Sequence, residues 1–302
     1  MPQAEIYLIG HPGSESLVKR FSKYFTGFIA LPGYPGLPEQ PYDIKSISSF
    51  ISYMKEQQFD LLLQMQGNGT KVNQLIELLG ARYSGGFYTR GDYQPPGELF
   101  IAYPDEGHEI ERHFSLIRHL GVQGESVDLE FPVDDLDETN FKRLKLLPHD
   151  STYVCIHPGT KGNGRQWPRE NFARMGDLCA SMNLQVVITG TAEEAVIVHE
   201  VADKMKYSPV VAAGKTNLGA MAILLSNARA LVANCSGISQ MAAALKVPGI
   251  IISMDGERHR WAPLDKNLFY TIDWLKDPDF NKTESALLWL IKNGNFSDRD
   301  IS

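Results

Sequence analysis

The stretch from Tyr153 to Gly190 constrains this chain most, because it reads as strand, glycine-rich loop, helix and strand without interruption. Val154, Cys155 and Ile156 form a short apolar run that stops at His157-Pro158-Gly159, and Gly162 and Gly164 leave the following backbone clear of side chains. Pro168 suits a first helical position, Phe172, Met175, Leu178 and Cys179 recur on one helical face, and Val186-Val187-Ile188 begin the next strand. The result is a parallel βαβ unit. Its loop can turn backbone amides toward an anion, with Lys161 and Arg165 close by, although solvated basic residues on an ordinary turn give the same pattern.

The same alternation runs through the whole chain. In the first half, apolar runs at 6–9, 28–31, 61–65 and 99–103 alternate with helical patterns near 14–24, 46–58, 70–80 and 109–120, the last closed by Gly121. The second half repeats it with runs at 152–156, 185–189, 210–213, 230–234 and 249–253 and helices near 168–182, 191–206, 216–227 and 237–246. Both halves therefore read as doubly wound α/β, a first domain over 1–148 and a second over 149–302. The acidic stretch Phe131 to Asp137 and the segment to Asp150 read as the connection. A cleft between two such domains is the expected place for a ligand.

Charge separates the halves. Residues 1–150 carry 13 Lys+Arg against 21 Asp+Glu, and residues 151–302 carry 16 against 15. An acidic first half argues against a nucleic-acid partner and against broad adhesion to an anionic membrane; the near-neutral second half is the better home for an anionic ligand. No apolar run approaches the roughly 20 residues of a membrane span, and the opening MPQAEIYLIGHPG lacks a signal-peptide pattern, so the expected location is the cytoplasm. Cys155, Cys179 and Cys235 have neither metal-ligand spacing nor a disulfide framework.

Several motifs narrow the chemistry. Gly159 to Gln166, GTKGNGRQ, has the glycine separation of a Walker loop, but Arg165-Gln166 stands where Lys-Ser/Thr is required, which disfavours a nucleotide triphosphatase. The dinucleotide fingerprint is missing too, which makes an oxidoreductase remote. Leu231 to Gly237 leads from a strand into a helix, placing Ser236 and Gly237 at a helix N-terminus that favours an anion, or that is simply a cap. Thr189-Gly190-Thr191-Ala192-Glu193-Glu194 ends a strand and opens a helix, where a carboxylate can meet a ribose or support the helix end. Asp135-Leu136-Asp137 has the Asp-x-Asp form of some metal sites but reads as solvated linker, and His108, His113 and His119 lack metal spacing. Trp167 and Trp261 read as packing residues, and Cys235 reads as an inert buried thiol rather than a reactive one.

Taken in order, HPGTKGNGRQWPRENFA, VVITGTAEE, AAGKTNLGAMAILLSNARALVANCSGISQMAAAL and DGERHRWAPLD resemble glycosyltransferase family 9, the lipopolysaccharide heptosyltransferase family. QGNG at 66–69, LLGARYSGGF at 78–87 and HEIERHFSLIRHLGV at 108–122 also look like that family. The resemblance implies a GT-B fold, in which the second domain holds a nucleotide-diphosphate sugar, ADP-heptose being the named candidate, and the first presents a saccharide or glycolipid acceptor of the cell envelope. It implies inverting transfer without metal or other cofactor, at or near the cytoplasmic face of the inner membrane, with oligomer formation left open. Carried over, Thr160 and Arg165 meet the donor diphosphate, Glu193 or Glu194 the ribose, and Ser236 and Gly237 the phosphate at the helix start, with Gly159, Thr189, Gly190 and Gln240 also counted among the donor-binding residues. Two positions depart from the pattern. The family's opening strand and Gly-Asp loop, with its base, have no counterpart in MPQAEIYLIG, so the first domain is expected to be incomplete and no catalytic base is assigned. The family's Asp-Thr/Ser-Gly-x-x-His reads Cys235-Ser236-Gly237-Ile238-Ser239-Gln240. A non-catalytic nucleotide-sugar or glycan binding homologue is the alternative.

Overall fold

A computed structural model describes residues 3–37, 41–124, 126–148, 151–160 and 162–296. The chain divides into two compact units, Met1–Val127 and Asp128–Ser302.

In the second unit, β6 (Tyr153–His157), β7 (Gln185–Ile188), β8 (Val210–Val211), β9 (Leu231–Asn234), β10 (Gly249–Ser253) and β11 (Phe269–Asp273) form one parallel sheet in the order β11-β10-β9-β6-β7-β8. Helices cover both faces, which is why the central strands are near-continuous apolar runs. Side chains alternate between two cores. Val154, Ile156, Val186, Ile188, Val232, Ile250 and Ile252 pack with α6 (Arg169–Ser181), α7 (Ala195–Lys204) and α11 (Phe280–Asn293). Cys155, Val187, Leu231, Ala233 and Ile251 pack with α8 (Leu218–Ser226) and α9 (Gly237–Ala244) on the other face. Trp167 is a packing residue: its ring stacks on Phe280 and meets Phe172 and Trp274 edge-on. Helix α6 begins at Arg169, so Pro168 is its cap residue rather than its first helical one.

The segment expected to connect two domains belongs instead to the second unit. α5 (Asp135–Leu144) opens with a capping box, Asp134 accepting from the Asp137 amide and Asp137 from the Asp134 amide. Both Asp134 and Asp137 are thus engaged with backbone, and the Asp-x-Asp pattern is helix-start chemistry. α5 packs on α8, with Phe141, Leu146 and Leu147 against the second core and Asp128 paired with Lys246. The unit boundary therefore falls at 127/128 rather than 148/149, and His149 and Asp150 lie outside the described residues. α8 is buried on nearly every side because it lies between the sheet and α5.

The first unit is also parallel α/β, but its strands fall into two groups. β1 (Tyr7–Gly10) pairs with β2 (Gly27–Ala30), and β3 (Leu61–Gln64), β4 (Tyr83–Tyr88) and β5 (Phe100–Ala102) form a separate three-stranded sheet. α2 (Ile44–Glu56), capped by Asp43 on the Ser46 amide, bridges them: its Phe50 and Met54 share one core with Ile29 of β2 and Leu62 of β3. No hydrogen bonding joins β1 to β3 among the described residues. α1 (Glu15–Arg20), α3 (Asn73–Leu78) and α4 (Glu109–His119) complete the unit, and Gly121, at φ +84, ends α4 as expected.

Candidate functional site

Three loops meet at the carboxyl ends of the second unit's central strands. The chain lays down β6, β7 and β8 in one direction and then β9, β10 and β11 in the other, so the strand order reverses between β6 and β9. At such a switch point the two outgoing loops part and leave a crevice for a ligand. The loops that leave β6 and β9 are His157–Pro168 and Cys235–Gly237, the two regions read from sequence as anion-binding.

Asn234, the last residue of β9 and 1% exposed, holds the first loop at both ends. Its Oδ1 accepts from the Trp167 amide at 3.0 Å and its Nδ2 donates to the Pro158 carbonyl at 2.8 Å. The sequence reading passed over this residue, although a polar side chain closing an apolar strand was the available signal. Arg165 is half-exposed and ion-pairs with Asp255 at 3.4 Å, in the loop after β10. Thr160 is partly buried, and Lys161 lies outside the described residues.

The β7 loop is built around Glu194. Thr191 and Glu194 form a reciprocal cap, the Thr191 amide donating to Glu194 Oε2 at 2.8 Å and the Glu194 amide to Thr191 Oγ1 at 3.3 Å. The same carboxylate lies 3.7 Å from His157 Nε2, and His157 Nδ1 lies 2.9 Å from Thr189 Oγ1. Burial pushes the His157 pKa below its ordinary value, against the pull of the Glu194 charge. Gly159 and Gly190 make room for this group: a Cβ on Gly159 would overlap the Glu194 carboxylate, and one on Gly190 would meet Val198 at 2.8 Å. Of the two carboxylates considered for a ribose, Glu194 is engaged inside the protein and Glu193 is exposed.

At the start of α9, Gly237 is exposed, and a Cβ there would meet nothing within 4 Å. The Ser239 amide bonds the Ser236 carbonyl at 3.0 Å, whereas the Gly237 and Ile238 amides precede the first i−4 bond of α9 and have no intrahelical acceptor. Ser239 accepts from the Ser236 amide and donates to the Ser236 carbonyl. The two replaced residues of the Cys235–Gln240 motif converge on one oxygen: Cys235 Sγ and Gln240 Nε2 both bond the Trp261 carbonyl, at 3.4 and 2.7 Å. Burial, with the Asp255 charge second, raises the Cys235 thiol to about 11, which leaves it protonated and inert near neutrality. Glycines, an arginine and a helix start around a switch-point crevice can hold a diphosphate without further side chains.

The model of glycosyltransferase family 9 (heptosyltransferase) matches residues 47–290. The chain belongs to glycosyltransferase family 9. It is 25% identical to lipopolysaccharide heptosyltransferase 3 of Escherichia coli over 244 residues, covering 78% of this chain and 71% of that protein. It is 24% identical to the lipopolysaccharide core heptosyltransferase OpsX of Haemophilus influenzae over 276 residues, 87% of this chain and 78% of the relative. Among solved structures, E. coli ADP-heptose lipopolysaccharide heptosyltransferase II superposes with a TM-score of 0.75 at 18% identity, covering 97% of this chain and 91% of the other. The family 9 glycosyltransferase from Veillonella parvula gives 0.71 at 16% identity, covering 100% and 85%. The fold is accordingly the GT-B type, and the family is one of sugar-transferring enzymes.

Proposed function

We propose that this family 9 chain transfers a heptose from ADP-heptose to a saccharide of the lipopolysaccharide core, by inversion and without a metal ion. The observation that carries the reading is the pair of loops after β6 and β9, which flank the switch point and bring Arg165 and the open start of α9 to one crevice. Inverting displacement leaves negative charge on the departing diphosphate; a guanidinium and preorganised amides at that spot stabilise it. The names of the relatives supply the sugar, nucleotide and acceptor class. Among the described residues no helix is long and apolar enough to cross a membrane, and in this reading the protein meets its glycolipid acceptor from the cytoplasmic side.

A second reading, a donor-binding homologue without turnover, is favoured by one observation: Cys235 and Gln240, at the family's acid and imidazole positions, are both spent on the Trp261 carbonyl. One experiment separates the two. Calorimetric titration with ADP and ADP-heptose is followed by an assay of heptose transfer to core acceptor. Binding with transfer supports the first reading, and binding without transfer the second. Arg165→Ala should weaken ADP binding by about tenfold or more, the usual value of a charge-assisted hydrogen bond. Unchanged affinity in that variant would overturn the assignment of the diphosphate to this crevice.

A further inference from the structure

Inverting transfer needs a group that takes the proton of the acceptor hydroxyl. In open parallel sheets ligands gather at the carboxyl ends of the strands, and in the first unit those ends hold one imidazole with a free lone pair. His113 lies in the second turn of α4, and its Nε2 is 2.9 Å from the carbonyl of Met65, the residue that follows β3. The Phe87 ring of β4 meets the imidazole edge-on, with 6.0 Å between centroids.

This placement fixes the tautomer. A carbonyl oxygen only accepts, so Nε2 carries the proton and the neutral ring keeps its lone pair on Nδ1. Nδ1 has no partner among the described residues, and with the side chain 29% exposed it is open to solvent. Glu109 Oε1 lies 4.0 Å from Nε2, and that carboxylate is itself held in place. Tyr103 Oη is 2.9 and 2.7 Å from its two oxygens, and Arg112 Nη1 lies 3.0 Å from Tyr103 Oη and 3.5 Å from Glu109 Oε2. Arg112 Nη2 in turn donates to the Asp105 carbonyl at 3.0 Å. The ring is clamped on its proton-bearing side and open on the other, and the Met65 carbonyl and the Glu109 carboxylate face the positive charge that a second proton brings. A free lone pair, a fixed orientation and a carboxylate for the charge are the parts of a general base.

The other histidines of the first unit lack this combination. His11, after β1, accepts from the Gly13 amide on Nδ1 at 3.0 Å, which puts its proton on Nε2. His108 accepts from the Ile110 amide on Nδ1 and is buried. His119 Nε2 reaches the Glu98 carbonyl, ahead of β5 and so at the opposite end of the strands. We propose that His113 Nδ1 is the general base of the transfer. The proton of the acceptor hydroxyl passes to Nδ1 as the hydroxyl oxygen bonds the anomeric carbon of the donor; the bond from that carbon to the diphosphate breaks, and its electron pair leaves with ADP. The inference rests on the transfer reading above, in which the first unit presents the acceptor.

His113→Gln is the deciding variant, because the glutamine amide nitrogen can replace Nε2 on the Met65 carbonyl while leaving no base. In steady-state transfer from ADP-heptose to core acceptor it should lose kcat by about 10²–10⁴-fold, with KM for both substrates, calorimetric ADP-heptose affinity and melting temperature little changed. In the parent, kcat should fall as pH drops from about 8 to 5, where imidazoles take up a proton, and His113→Gln should lose that limb. Both proteins keep His157 in the donor loop and His199 and His259 on α7 and α10 (Arg258–Trp261), so the difference belongs to position 113. His119→Gln should transfer at the parental rate. Four results would overturn the assignment and leave the transfer reading intact: a parental kcat in His113→Gln, a retained pH limb, activity lost together with donor affinity or melting temperature, or transfer lost instead in Asp92→Asn, whose carboxylate follows β4 and accepts from Thr70 Oγ1 at 3.0 Å. A parent that binds ADP-heptose without transferring it overturns the transfer reading, and the base role with it.

Discussion

At the level of single residues, His157, Gly159, Glu194 and Asn234 set the shape of the crevice. Asn234→Ala removes two hydrogen bonds and leaves the Pro158 carbonyl and Trp167 amide unpaired in a buried place, which should cost about 2–4 kcal/mol. Chemical denaturation would measure it, and ADP affinity should fall with it, because the loop loses both anchors. Gly159→Ala drives a methyl into the Glu194 carboxylate. Donor affinity should drop, and Gly159→Ala combined with Glu194→Ala should recover more than the single effects sum to, a coupling that a double-mutant cycle reads directly. His157 supplies a pH dependence. Its pKa is lowered in the folded chain, so below the ordinary histidine value the unfolded chain binds a proton that the folded one refuses. Stability should therefore fall as pH drops through that value toward the lowered one and be complete above it. His157→Asn should flatten this part of the profile by at most about 1.4 kcal/mol per pH unit, visible as a smaller change in melting temperature between pH 7.5 and 5. Sequence showed this cluster only in part. Thr191-Ala192-Glu193-Glu194 has the form of a capping box, from which Glu194's engagement could be read, but the approach of His157 depends on strand pairing between β6 and β7.

Among the elements, those with undiluted apolar periodicity were legible and those carrying local exceptions were not. The runs at 61–65, 185–189, 230–234 and 249–253 are β3, β7, β9 and β10 almost to the residue. β4 is not among the expected runs because Gly85 and Gly86 dilute its apolar pattern, yet they allow neighbouring strands to come close: a Cβ on Gly85 would meet the Leu99 carbonyl at 2.7 Å, and one on Gly86 would meet Gln64 at the same distance. β11 was missed because Thr271 and Asp273 interrupt its apolar pattern. The two strand groups of the first unit carry a prediction. β1 and β2 form a two-stranded parallel sheet, whereas β6 and β9 lie hydrogen-bonded on both sides. Amide exchange should be faster by orders of magnitude in Tyr7–Gly10 and Gly27–Ala30 than in Tyr153–His157 and Leu231–Asn234. Equal protection would show that β1 and β2 open only with the whole fold.

For the whole molecule, the two units have separate cores, and the proposed donor crevice lies wholly in the second. ADP should stabilise that unit selectively, by about 2.7 kcal/mol at a hundredfold excess over Kd. In a thermal scan this separates two transitions that overlap without ligand, and a uniform shift of both would mean that the units unfold together. The switch point has one more consequence. Pro158 and Cys235 leave strands that are hydrogen-bonded neighbours, in register from Cys155–Leu231 to His157–Ala233. The feet of the two loops therefore stand one strand spacing apart, about 4.8 Å, a length fixed by the peptide backbone and indifferent to side chains. Substitutions such as Cys235 and Gln240 can rewrite what lines the crevice while its gauge stays constant, so a chain of this architecture can exchange one ligand chemistry for another without rebuilding the frame that measures it.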